Sequence, residues 1–170
     1  MTVMNPTRLL RSLLLVFLLP AAPVFAGTAK SAAPTSATQA TSDARRTAIV
    51  TFCRKNCGHK VGNGECWTLA NEAFKATGAQ RPGGELRVWG RRLDLRKETP
   101  LPGDILECDR TRFSDGSCVP TQHTAVIVGV HTATLVRIAE QNYANSKKVK
   151  ERDLELSGLR GGNIYVYRPA

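Results

Sequence analysis

Gly62-Asn63-Gly64-Glu65-Cys66-Trp67-Thr68-Leu69-Ala70 is a glycine turn that runs directly into an amphipathic segment. Cys66, Leu69, Ala70, Ala73, Phe74 and Ala76 recur at helical spacing, and Gly78 suits the left-handed cap, so a helix from Cys66 to Gly78 is predicted. Upstream, Ile49, Val50, Phe52 and Cys53 mark one side of an earlier helix, which Asp43 is placed to cap and which stops near Gly58. Downstream the period changes from helical to extended. After the turn Leu101-Pro102-Gly103-Asp104, strands are predicted at residues 105–108, 124–130, 135–142 and 163–167. The second is apolar on both faces, as a doubly covered strand should be. Helices followed by antiparallel strands make an α+β fold, with N-terminal helices packed on an antiparallel sheet.

The N-terminus reads as a secretory leader. Arg8 and Arg11 precede an apolar run at residues 13–19, Pro20 ends it, and Val24-Phe25-Ala26 sets small residues at cleavage spacing. Residues 1–26 are therefore expected to be a signal peptide, and the mature chain to be secreted or periplasmic. The run is too short for a permanent membrane span, so no integral membrane segment is expected after cleavage. Residues 27–42 are mostly Ala, Thr and Ser and are expected to form a disordered linker, leaving one folded domain at 43–170.

The formal charge is +10, with two of the positives in the leader, and it favours anionic partners such as wall polymers. The basic residues are scattered without interleaved aromatics, so nucleic acid is not expected as a partner. Lys147, Lys148, Lys150 and Arg152 read as a solvated face.

Five cysteines follow the leader: Cys53, Cys57, Cys66, Cys108 and Cys118. An exported chain permits disulfides, and the odd count leaves one thiol over. Cys108 with Cys118 would close a polar loop, and Cys53 with Cys57 stand four apart, so these four are expected to be bridged. Cys66 is left free at a helix start, where unpaired N–H groups and the helix dipole favour a thiolate. The spacing of Cys53, Cys57, His59 and Cys66 matches no common zinc pattern, and no metal or cofactor is expected.

A thiolate nucleophile needs a base. His59 and His131 fall in expected loops, whereas His123 opens a strand. A hairpin turning at His131 and Thr132 sets His123 opposite Glu140, with Asn142 on the same face two residues on. An acid or amide accepting from Nδ1–H would fix the tautomer and leave Nε2 for the thiol.

The segments around Cys66, Pro102-Gly103-Asp104-Ile105, His123-Thr124-Ala125-Val126 and Glu140-Gln141-Asn142 together resemble the CHAP family of cysteine, histidine-dependent amidohydrolases and peptidases, relatives of NlpC-type peptidases and of papain. The resemblance implies a papain-like fold, with Cys66 as nucleophile, His123 as base, and Glu140 and Asn142 as its orienting groups. It also implies cleavage of amide bonds in peptidoglycan peptides through a thioester. Many relatives carry a glutamine just before the cysteine; here Asn63 is the only amide side chain in that loop and becomes the candidate oxyanion donor. Glu65 adds a negative charge beside the thiol. These two departures keep open an inactive wall-binding or interaction module of the same fold; a transacylase, in which an amine replaces water, is a separate alternative.

Overall fold

The computed structural model describes residues 36–83 and 86–170. The expected leader and residues 27–35 of the expected linker lie outside them. Helix α1 (Ser36–Lys55) begins seven positions ahead of the expected cap at Asp43. No Pro or Gly interrupts residues 36–55, and polar side chains stitch the first turns together. Thr41 Oγ1 donates to the Ala37 carbonyl at 3.0 Å. Asp43 accepts from Gln39 at 2.8 Å and from Arg46 at 2.5 Å, so its carboxylate serves the helix surface rather than a cap. Residues 36–42 are thus helix and not linker.

Helix α2 (Cys66–Thr77) buries Thr68, Leu69, Ala70, Ala73 and Phe74; Ala76, expected on this stripe, is exposed. It ends as its sequence requires. Gly78 takes φ 67°, and the Ala79 N–H bonds back to the Phe74 carbonyl at 3.0 Å.

The strands are β1 (Arg91–Arg92), β2 (Ile105–Phe113), β3 (Gln122–Val130), β4 (Leu135–Glu140), β5 (Lys150–Glu155) and β6 (Leu159–Arg168). They form one antiparallel sheet in the order β1-β6-β2-β3-β4-β5. Alternation along the central strands splits the apolar residues into two layers. Ile105, Val126, Val128 and Ala139 meet Ile49, Cys53, Leu69, Phe74 and Trp89 on the helix side. Leu106, Ala125, Ile127, Val136, Ile138 and Val166 fill the other side with Phe113 and Leu154. The expected α+β, papain-like arrangement of helices on an antiparallel sheet is what the chain adopts.

Strand β5 is not apparent from the sequence. Its residues, Lys-Glu-Arg-Asp-Leu-Glu, bury only Leu154, and it lies at a sheet edge, where charged side chains suit an unpaired margin. None of the helices among the described residues is long and apolar enough to cross a membrane.

The Pro-Gly-Asp turn joins the layers. Fully buried Asp104 accepts from Arg168 Nε and Nη2 at 3.1 and 2.9 Å and from the Leu101 N–H at 2.8 Å. Gly103 has φ 93°, and a Cβ there would stand 2.6 Å from the Arg46 Cβ and 2.7 Å from its Cα. Helix α1 therefore rests on bare backbone. Gly103→Ala should cost about 3 kcal/mol, combining left-handed strain with overpacking, and is read as a lower urea midpoint at unchanged slope.

Candidate active site

Loop 58–65 delivers Cys66 to the first turn of α2. Glu65 is the N-cap residue, extended at φ −76° and ψ 151°, and its side chain makes no cap bond. The loop is held from behind by fully buried Gln141, just past β4. Its Oε1 accepts from the Val61 N–H at 3.1 Å. Its Nε2 approaches the Thr68 hydroxyl at 2.7 Å, the Glu65 carbonyl at 2.8 Å and the Val61 carbonyl at 3.0 Å. Gln141 was given no role from sequence, yet it ties the Cys66 turn to the strand bearing Glu140. Gln141→Ala leaves several buried backbone groups unpaired and should cost about 3 kcal/mol, checked by chemical denaturation.

His123 is the second residue of β3 and is buried. Its Nε2 lies 2.7 Å from Glu140 Oε2, and its side chain hydrogen bonds with that of Cys66. The ring is reversed relative to the expectation, with Nε2 rather than Nδ1 on the acid. The hairpin register also differs. Val126 pairs with Ala139, which places Ala125, not His123, opposite Glu140. The observed offset is an even number of residues, so Glu140 keeps the face predicted for it and reaches His123 diagonally. Tyr143 closes the ring edge-on at 5.7 Å between centroids.

Glu140 is the shared partner. Its Oε1 accepts from Arg152 Nε at 2.6 Å, and the Arg152 guanidinium lies 4.7 Å from the Tyr143 ring centroid. Arg152, read as part of a solvated cluster, is instead a counterion. Burial raises the Glu140 pKa, but the bonds from His123 and Arg152 outweigh it and the carboxyl stays below its usual range.

The same competition sets the other two groups. Burial lowers the His123 pKa, yet its bonds to Cys66 and Glu140 and their charges bring it up to about 9. Burial raises the Cys66 thiol, but the His123 bond, the Thr124 backbone N–H, the His123 charge and the Trp67 backbone N–H bring it below 9.0. One pKa falls as its neighbour's rises. Both displacements favour the thiolate and imidazolium, the form a sulfur nucleophile needs.

Glu65 does not oppose this ionisation alone. Lys147 Nζ sits 2.6 Å from its Oε1, and the Asn142 amide donates to Oε2 at 2.8 Å. Asn142, expected to orient His123, is turned away at φ 60° and secures the residue before the thiol. The Asn63 side-chain oxygen accepts the Glu65 N–H at 3.0 Å in a local turn just ahead of the thiol.

All five cysteines are free thiols, so neither expected bridge is present. Cys53 points into the helix–sheet core, whereas Cys57 is exposed beyond the end of α1. Cys108 is buried opposite His123 in the sheet, and Cys118 is exposed beside Arg112. Burial pushes both Cys53 and Cys108 up to about 12, leaving them inert as nucleophiles. His59 and His131 are exposed, the latter 3.1 Å from Asp153.

Comparison with known proteins agrees with this architecture. The family model of the AIM3/BBC1 cysteine proteinase-fold domain matches residues 33–170. Altered inheritance of mitochondria protein 3 of Debaryomyces hansenii is 30% identical over 143 residues, covering 71% of this chain; the chain spans only 15% of that relative. The crystal structure of Ly7917 aligns at a TM-score of 0.51 and 17% identity, over 72% of this chain and 62% of that one, a likeness of fold. These matches reach the papain-like cysteine proteinase fold and not the narrower CHAP group. With its family model spanning both helices and the whole sheet, the chain belongs to the AIM3/BBC1 cysteine proteinase-fold domain family.

Proposed function

We propose that the chain is a cysteine amidohydrolase that cleaves peptide amide bonds, those of peptidoglycan peptides in particular, through a thioester on Cys66. The observation that carries this reading is the placement of buried His123 between Cys66 and Glu140, bonded to both, with the directions of the Cys66 and His123 pKa shifts in accord. The thiolate attacks the carbonyl carbon, forming the C–S bond. The Cys66 backbone N–H, at the positive end of α2, faces the developing oxyanion. Collapse expels the amine, which takes its proton from His123. Neutral His123 then deprotonates a water that attacks the thioester, releasing the acid and restoring the thiolate.

The two features that favoured an inactive module weigh less here. Lys147 and Asn142 engage the Glu65 carboxylate, and a helix-terminal N–H stands where the missing glutamine would have helped. For location, the Arg8 and Arg11 leader with its apolar run supports export and cleavage after Ala26, which N-terminal mass analysis of the recovered chain would test.

The activity is tested by incubating the purified chain and its Cys66→Ala variant with peptidoglycan, then analysing released fragments by mass spectrometry. New amine and carboxyl termini made only by the unaltered chain are expected. Identical fragment profiles would remove this substrate, and amide products formed with added amine would favour acyl transfer over hydrolysis.

A further inference from the structure

A cleft of about 240 Å³ opens beside the thiol, lined by Cys66, Trp67, Arg81, Arg87, Trp89 and Thr124. Whole-ligand pockets run to roughly 300–1,000 Å³, so this space suits one residue of a substrate rather than a complete small molecule. Its chemistry is uneven. Trp67 is 43% exposed and gives an apolar rim. Trp89 is fully buried, held edge-on by Phe74 at 5.3 Å and through its indole N–H, which donates to Glu107 at 2.6 Å. The Arg81 guanidinium carbon lies 3.9 Å over the Trp89 ring centroid. This cation–π contact restrains the guanidinium over the indole at the cleft wall.

Neither Arg81 nor Arg87 forms a salt bridge among the described residues. Among the described residues, the carboxylate that influences both is Glu107, whose Oε2 is buried without a hydrogen-bond partner. Its Oε1 accepts from Trp89 and, at 2.7 Å, from Thr124. Burial raises the Glu107 pKa and lowers that of Arg81, the latter against the opposing charge of Glu107.

We propose that Arg81, fixed on Trp89 and assisted by Arg87, binds a carboxylate on the substrate residue flanking the scissile amide, making acidic peptides the preferred substrate class. This rests on the reading of Cys66 as the nucleophile. A planar guanidinium offers paired N–H groups that match a carboxylate, and partial desolvation strengthens the pair. A substrate with a cationic residue at that position would meet repulsion.

Two small alkylating agents of nearly equal size separate the claims: iodoacetate carries a carboxylate and iodoacetamide does not. Rates are read at the Cys66 peptide by mass spectrometry, because Cys57 and Cys118 are also exposed. The iodoacetate-to-iodoacetamide ratio at Cys66 should fall about tenfold in Arg81→Gln, the scale of one charge-assisted hydrogen bond. In the unaltered chain, succinate should slow iodoacetamide at Cys66 and succinamide should not, which needs no variant to fold. An unchanged ratio in Arg81→Gln, or equal protection by both diacid derivatives, overturns the carboxylate site while leaving the nucleophile intact. Slow reaction of Cys66 with both reagents would remove the nucleophile, and this inference with it.

Discussion

Replacing His123 with alanine should lower amide turnover by at least about 10³-fold, within the range for loss of a positioned acid–base group. Two losses compound. The leaving amine has no proton donor, and the thiolate has no counterion. In the unaltered chain the alkylation rate of Cys66 rises as pH passes its lowered pKa, below 9.0, and the ion pair ends as the imidazolium titrates near 9. In His123→Ala the rise moves upward in pH, because burial then opposes the charge with only the Thr124 and Trp67 N–H groups against it. The pH profile of iodoacetamide labelling at Cys66 checks this. A profile that does not move would mean that the helix terminus alone ionises the sulfur.

Substitution of Glu140 ranks second. Glu140→Ala should reduce turnover about 10²-fold, since the imidazole loses the acceptor that sets its tautomer and orientation. It also strands the half-buried Arg152 and should cost about 2 kcal/mol, the scale of a charged hydrogen bond left unmade. Glu140→Gln separates the two roles. It keeps much of the shape and one acceptor while removing the charge that helps hold His123 up to about 9. Because the folded Glu140 pKa is lowered, its contribution to stability is present above pH 4.5 and is lost as pH falls through the folded value. Glu140→Gln should therefore flatten the acid side of the stability–pH curve, as thermal melts across pH 3–6 would report.

The elements that bury apolar side chains were legible in the sequence, because burial imposes a period. Helix α2 and strand β3 are the clearest cases, and the Gly78 terminus followed from its conformational freedom. Strand β5 was not legible, since an edge strand of Lys, Glu, Arg and Asp carries no apolar alternation. Cys66, His123 and Glu140 were each singled out and are brought together, but by a different route. The hairpin closes between His131 and Leu135 rather than about His131 and Thr132, and a bulge between Ile127 and Gly129 moves the register by one residue; no side-chain pattern announces either in a strand apolar on both faces. Asn142 was misplaced for a related reason. Strand β4 ends at Glu140, and the backbone turns through left-handed conformations at Asn142, Ala144 and Asn145. The orientation of the imidazole depends on where Glu140 sits in three dimensions. Sequence spacing contains no record of it.

The sulfur and the imidazole belong to different layers, one on α2 and one on β3, separated by 57 positions along the chain. Their proton exchange exists only once the helix has docked on the sheet. An unfolded chain carries an ordinary thiol, largely protonated near neutrality and slow to attack its surroundings. The paired sulfur and imidazole are thereby a property of the assembled molecule, and misfolded copies lack them.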